Sequence, residues 1–223
     1  MSSALGLLGG TFDPVHYGHL RAADAARRAL HLAEVRLLPA GDPPHRAAPV
    51  ATAAHRVAML ELALAEFPGL ALDTREIARP GKSYTVITLG ELRAEAPLRP
   101  LALIVGADAF AGLPTWHRWT EIFDLAHVVV VTRPDAPLPA MPDGPLAEHW
   151  AQRLQRDPAA LESRLAGAIF VLPVPPQPVS ATAIRRALAA GASGVEAVRG
   201  MVPPAVLAYI DRNQLYRSRP DAT

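Results

Sequence analysis

The sequence predicts an α/β fold: a doubly wound, mostly parallel sheet with helices on both faces. Three observations predict it. Short apolar runs alternate with longer stretches of helical periodicity, the order expected of βαβ units around a parallel sheet. The first run ends in a glycine pair followed by a helical stretch, as at the carboxyl edge of a Rossmann-like sheet. The length, 223 residues, suits one such domain and is short for two.

Taken in order, residues 4–8 (ALGLL) read as a buried strand and residues 18–30, rich in Ala and Arg, as a helix. A second strand at 34–38 (EVRLL) precedes a long helix over 51–66. A short strand at 70–74 precedes a helix over 83–96, stopped by Pro97. Residues 101–105 (LALIV), 127–131 (HVVVV) and 168–172 (AIFVL) are short and apolar, which suits central parallel strands buried on both faces. A helix starting at Ser180 ends at Gly191, and helical character continues towards 217. Two proline-rich stretches break the pattern, one with Pro134, Pro137, Pro139, Pro142 and Pro145, the other with Pro173, Pro175, Pro176 and Pro178. Between them, residues 146–165 read as two short helices broken at Asp157-Pro158. About 20 residues cannot bury a core of their own. The stretch 134–178 is therefore expected to be an excursion from a single domain spanning 1–223.

Composition narrows the function. Lys plus Arg is 22 and Asp plus Glu is 21, so neither sign dominates and a general polyanion binder is not expected. Cysteine is absent, which removes disulfides, thiolate metal sites and cysteine nucleophiles. No apolar run approaches the roughly 20 residues of a membrane span, and no signal peptide is apparent, so a cytoplasmic protein is expected.

Chemistry concentrates at the predicted carboxyl ends of strands. After the first comes Gly9-Gly10-Thr11-Phe12-Asp13-Pro14-Val15-His16-Tyr17-Gly18-His19-Leu20. Paired glycines let backbone amides approach a phosphate, and the helix that follows favours anions at its N-terminus. His16 and His19, three residues apart, project from one helical face and are suited to stabilising charge on a transferred phosphoryl or nucleotidyl group. A bare H-x-x-H is more often incidental. Here its place after a strand, a glycine pair and an Asp-Pro turn favours phosphate chemistry. Ser180-Ala181-Thr182-Ala183-Ile184-Arg185 then offers a capped helix start, a second anion site, and an arginine for polyphosphate. An ordinary capped helix with solvated arginines is its plainer reading.

The stretch GGTFDPVHYGHL resembles the T/HxGH signature of the nucleotidyltransferase superfamily, and SATAIR its S-x-T-x-x-R motif. Further segments resemble the bacterial nicotinate-nucleotide adenylyltransferases. These are Pro43-Pro44-His45-Arg46, Ser83-Tyr84-Thr85, Gly106-Ala107-Asp108, Pro114-Thr115-Trp116, Arg133-Pro134, and the ending from Tyr209-Ile210 to Leu215-Tyr216-Arg217. The resemblance implies transfer of the adenylyl group of ATP to nicotinate mononucleotide, giving deamido-NAD and pyrophosphate. It implies ATP at Gly9, Gly10, Thr11, Phe12, His16, His19, Gly106, Asp108, Arg133, Ser180, Thr182 and Arg185, with His16, His19 and Arg185 catalytic. The mononucleotide is expected at His45, Arg46, Tyr84, Thr85 and Trp116. Trp116 suits stacking on a pyridine ring, the start of the Tyr84-Thr85 helix suits a carboxylate, and Asp108 suits ribose hydroxyls. Ser83 capping that helix is the simpler alternative.

Mg²⁺ is expected to be held mainly by ATP phosphates and water, with no protein metal site. Neither nucleic acid nor membrane is an expected partner, and the oligomeric state stays open. Nicotinamide mononucleotide or phosphopantetheine as acceptor, or a non-catalytic nucleotide sensor, are the alternatives. Two departures stand out. Ala40 and Gly41 replace positions that can be polar in relatives, and Ala181 removes a hydroxyl from the second motif.

Overall fold

The structure is a computed structural model that describes residues 4–43, 48–132, 144–175 and 178–217. Its strands are β1 (Leu5–Gly10), β2 (Glu34–Pro39), β3 (Leu70–Leu72), β4 (Leu101–Gly106), β5 (His127–Thr132), β6 (Leu154–Gln155) and β7 (Ile169–Pro173). They form one sheet in the order β3-β2-β1-β4-β5-β7-β6, and every pairing is parallel. Strand order reverses between β1 and β4, so a crevice opens there at the carboxyl ends.

Among the described residues the helices are α1 (Tyr17–Ala29), α2 (Ala53–Leu64), α3 (Arg75–Ala78), α4 (Thr85–Glu95), α5 (Ala107–Ala111), α6 (Ile122–Leu125), α7 (Leu146–Arg153), α8 (Ala160–Ser163), α9 (Ala181–Leu188), α10 (Ala192–Ala197) and α11 (Pro204–Arg212). Two cores result. On one face Leu20, Ala23 and Ala26 of α1, Met59 and Leu60 of α2, Ile184 of α9 and Ile210 of α11 cover the sheet. On the other, Val86, Leu89 and Leu92 of α4, Phe110 of α5, Phe123 of α6 and Trp150 of α7 do so. The alternation of β5 shows why: Val129 and Val131 enter the first core, Val128 and Val130 the second. Each such valine contributes about 2 kcal/mol by burial.

The predicted strands and main helices form, with three differences. The first strand runs on through Gly9 and Gly10, in register with Leu38 and Pro39. The glycine pair therefore lies at the strand's end and not in a following turn. The predicted helix over 83–96 begins at Thr85 with Tyr84 as N-cap. Ser83 does not cap it, because its Oγ accepts instead from the Gly41 amide at 2.9 Å. Finally, the stretch after β5 returns to the sheet: Leu154 and Gln155 pair with Ile169 and Phe170 as the edge strand β6. Two short helices, α7 and α8, flank it as expected.

Candidate active site

The crevice holds a cavity of about 720 Å³. Gly9 and Gly10 of β1, His16 and His19 of α1, and Gly106 and Asp108 beyond β4 meet in its wall, which Ser180 completes at the start of α9. His16 is the N-cap of α1 and His19 lies one turn on, so both reach the cavity that the glycine pair also lines. The imidazoles stack with centroids 3.7 Å apart and planes 23° apart. Gly18 makes this possible, since a Cβ there would lie 2.9 Å from the His16 ring and 3.0 Å from Val179. Gly9 differs: a Cβ there meets nothing within 4 Å, so its main chain is open to a ligand.

Phe12 has φ +51, which turns its ring inward. It is 1% exposed, lies under Gly10, and meets the His19 ring edge-on at 5.0 Å. Its side chain therefore supports His19 from the core.

His16 is 6% exposed, and its Nδ1 is buried without a hydrogen-bond partner among the described residues. Burial lowers its pKa from 6.5 to about 4, so the ring is neutral at pH 7 and serves as a hydrogen-bonding group. The unfolded chain takes up this proton near pH 6.5, whereas the folded chain takes it up only near 4. Stability from this group is thus intact above pH 6.5 and falls as pH falls towards 4. At about 1.4 kcal/mol per pH unit the whole difference is about 3 kcal/mol. In urea unfolding at pH 7 and near pH 4.5, wild type should lose about 2 kcal/mol more than His16→Asn. Equal losses would show that His16 does not titrate this way.

Arg185 reaches the same loop from behind. Its guanidinium donates to the Asp13 carbonyl at 2.7 Å and, more weakly, to Thr182 Oγ1 at 3.4 Å. Ser180 caps α9 by accepting from the Ala183 amide at 3.2 Å, as its sequence position predicts. Arg56, 1% exposed, donates to the Thr11 carbonyl at 2.8 Å. Thr11, Phe12, Thr182 and Arg185 border this wall without lining the cavity themselves.

Of the residues expected at the mononucleotide, Tyr84, Thr85 and Trp116 sit on the other face of the sheet. Tyr84 and Trp116 pack half-buried against the second core, and Thr85 opens α4. The Tyr84 ring lies 4.4 Å from that of His117, tilted by 36°. This histidine follows Trp116 directly, a neighbour that could have been noticed from the sequence. Gly41 explains its own small size: a Cβ would lie 2.3 Å from the Glu76 carbonyl oxygen. Ser83 Oγ accepts the Gly41 amide, which ties the loop after β2 to the segment before α4. His45, Arg46 and Arg133 lie outside the described residues.

The sequence reading missed the α1 wall. Arg21, Asp24 and Arg28 line the cavity beyond the histidines, with Ala22 and Ala25 leaving room between them. Spacings of three and four along α1 are the signal that places them on one side. Asp24 accepts from Arg28 at 2.8 Å and Arg27 at 3.1 Å, which fixes this rim. Among the described residues no helix is long and apolar enough to cross a membrane.

Comparison with known proteins identifies the family and the fold. Residues 7–187 match the cytidylyltransferase-like family. A probable nicotinate-nucleotide adenylyltransferase of Stenotrophomonas maltophilia is 51% identical over 216 residues, covering 94% of this chain and 95% of that one. Its counterpart from Laribacter hongkongensis is 50% identical over 220 residues, 98% and 97% of the two chains. Among solved structures, the nicotinic acid mononucleotide adenylyltransferase of Plasmodium falciparum complexed with NaAD shares the fold, with a TM-score of 0.74. It covers 96% of this chain and 97% of that one, at 13% identity. The chain belongs to the nicotinate-nucleotide adenylyltransferase family.

Proposed function

We propose that the chain transfers the adenylyl group of ATP to nicotinate mononucleotide, giving nicotinate adenine dinucleotide and pyrophosphate. The observation that carries the reading is the pair of stacked imidazoles in one cavity with an open glycine strand end, at the sheet's switch point. The names of the close relatives and the NaAD complex of the structural neighbour point to the same substrates.

The chemistry is one displacement. A 5′-phosphate oxygen of the mononucleotide attacks the α-phosphorus of ATP. The new P–O–P linkage forms as the bond from the α-phosphorus to the β-phosphate bridging oxygen breaks, and pyrophosphate carries away that electron pair. No side chain needs to become covalent, so the task is positioning and charge stabilisation. The amides of Gly9, Gly10 and Thr11 would meet the α-phosphate, and His16 and His19 would hydrogen-bond the oxygens that gain charge. Ser180, Thr182 and Arg185 would hold the β and γ phosphates, Arg133 would also serve ATP, and Gly106 and Asp108 would hold the nucleoside. His45, Arg46, Tyr84, Thr85 and Trp116 would hold the mononucleotide. The groups around the glycine strand are imidazoles and amides, which suit phosphate better than a hard cation. Mg²⁺ therefore fits as a companion of the ATP phosphates, where it would offset negative charge.

The choice of acceptor tests this reading. With ATP and nicotinate mononucleotide, nicotinamide mononucleotide or phosphopantetheine offered separately, the first should give the highest kcat/KM. A preference for either of the others would replace the proposed substrate, and ATP binding without turnover on any of them would replace catalysis by sensing.

A further inference from the structure

The loop that follows the glycine pair is tied to Tyr216, a residue of the family-like ending to which the sequence assigns no role at the site. After α11 the chain turns twice through left-handed residues, Gln214 at φ +55 and Tyr216 at φ +63. Non-glycine residues keep such angles where their surroundings hold them. The result is that the Tyr216 hydroxyl donates to Asp13 Oδ1 at 2.6 Å, across 203 residues of chain. Asp13 is 4% exposed. Its carboxylate also accepts from the Val50 amide at 2.7 Å and the Ala51 amide at 3.1 Å, just before α2. Burial, and then the bond to Asp13, push the Tyr216 phenol above its ordinary range, so it stays a donor. Through its carbonyl the same Asp13 holds Arg185 at 2.7 Å.

We propose that Tyr216 is a positioning residue for the ATP site: its bond to Asp13 fixes the main chain that presents the glycine strand end and anchors Arg185. Asp13 then joins four elements, namely the loop after β1, the start of α2, α9 and the segment after α11. Loss of the hydroxyl leaves the carboxylate one donor short, held by the Val50 and Ala51 amides alone. That shift reaches the Asp13 carbonyl and with it the Arg185 guanidinium. The consequence falls on ATP, not on the nicotinate side, where Tyr84 and Trp116 pack against the opposite core.

The inference rests on ATP binding at this loop, and its test needs no turnover. Tyr216→Phe should weaken ATP binding in calorimetry about tenfold and speed hydrogen exchange of the Val50 and Ala51 amides by a similar factor. The KM for the mononucleotide should stay within about twofold. Tyr209→Phe is the matched control, because Tyr209 bonds His55 at 2.9 Å and joins α11 to α2 away from the loop. It should lower thermal stability without changing ATP affinity. Asp13→Asn, which weakens the same bond from its other end, should repeat the effect of Tyr216→Phe if that variant does not fold. Unchanged ATP affinity in the folded variants, or an equal loss in Tyr209→Phe, would overturn the proposal. Absence of turnover in wild type would instead count against the reaction.

Discussion

His19→Ala is expected to lower kcat about 10²- to 10³-fold while changing the KM for ATP much less. The size follows from removal of one preorganised donor to an oxygen that gains charge during reaction. The split between kcat and KM follows because such a bond strengthens as charge develops, so its loss is felt in the transition state first. The fold should tolerate the change. His19 is half-buried, it faces the cavity, and its ring rests on Phe12 at 5.0 Å and His16 at 3.7 Å. Removing it opens space beside an existing cavity and leaves the core in place. Steady-state assays with saturating mononucleotide, on protein whose melting temperature matches wild type, decide the matter. A kcat within about threefold of wild type would remove His19 from the catalytic group.

Two glycines of the same site should respond in opposite ways to one added methyl. At Gly9 the new Cβ meets nothing within 4 Å, so Gly9→Ala should fold with a melting temperature close to wild type. The methyl would occupy the surface against which the phosphates lie. The KM for ATP should therefore rise tenfold or more, the penalty of about 1.4 kcal/mol or above expected where a main chain must approach a ligand closely. At Gly18 the Cβ would lie 2.9 Å from the His16 ring and 3.0 Å from Val179. Gly18→Ala must move the imidazole or the start of α9, and overpacking of this kind costs about 1–3 kcal/mol. It should lose stability and kcat together. Thermal melts with kinetics on both variants separate the cases. An unchanged KM for ATP in Gly9→Ala would mean that the phosphates lie elsewhere.

Legibility in the sequence followed how local each cause is. Strands β4 and β5 were readable because a parallel strand covered on both faces is a continuous apolar run, as LALIV and HVVVV are. The histidine motif was readable because its parts are contiguous, and the α9 cap because Ser180 acts on Ala183 three residues on. Edge strand β6 was not, since two residues carry no periodicity and Leu154 and Gln155 are extended only because β7 lies beside them. The inward turn of Phe12 was hidden because its cause is a left-handed φ that a bulky residue seldom adopts. Ser83 was misread as a possible cap because its partner, Gly41, is 42 residues away. The tie between Asp13 and Tyr216 was hidden for the same reason at greater range.

The central claim is a single direct transfer at the α-phosphorus, with the protein supplying position and charge stabilisation but no covalent nucleophile. The stereochemical course tests it most directly. ATP carrying a chiral α-phosphorothioate is incubated with nicotinate mononucleotide and the configuration of the dinucleotide product is determined. One in-line displacement predicts inversion at phosphorus. Retention would require an adenylylated enzyme and would contradict the account.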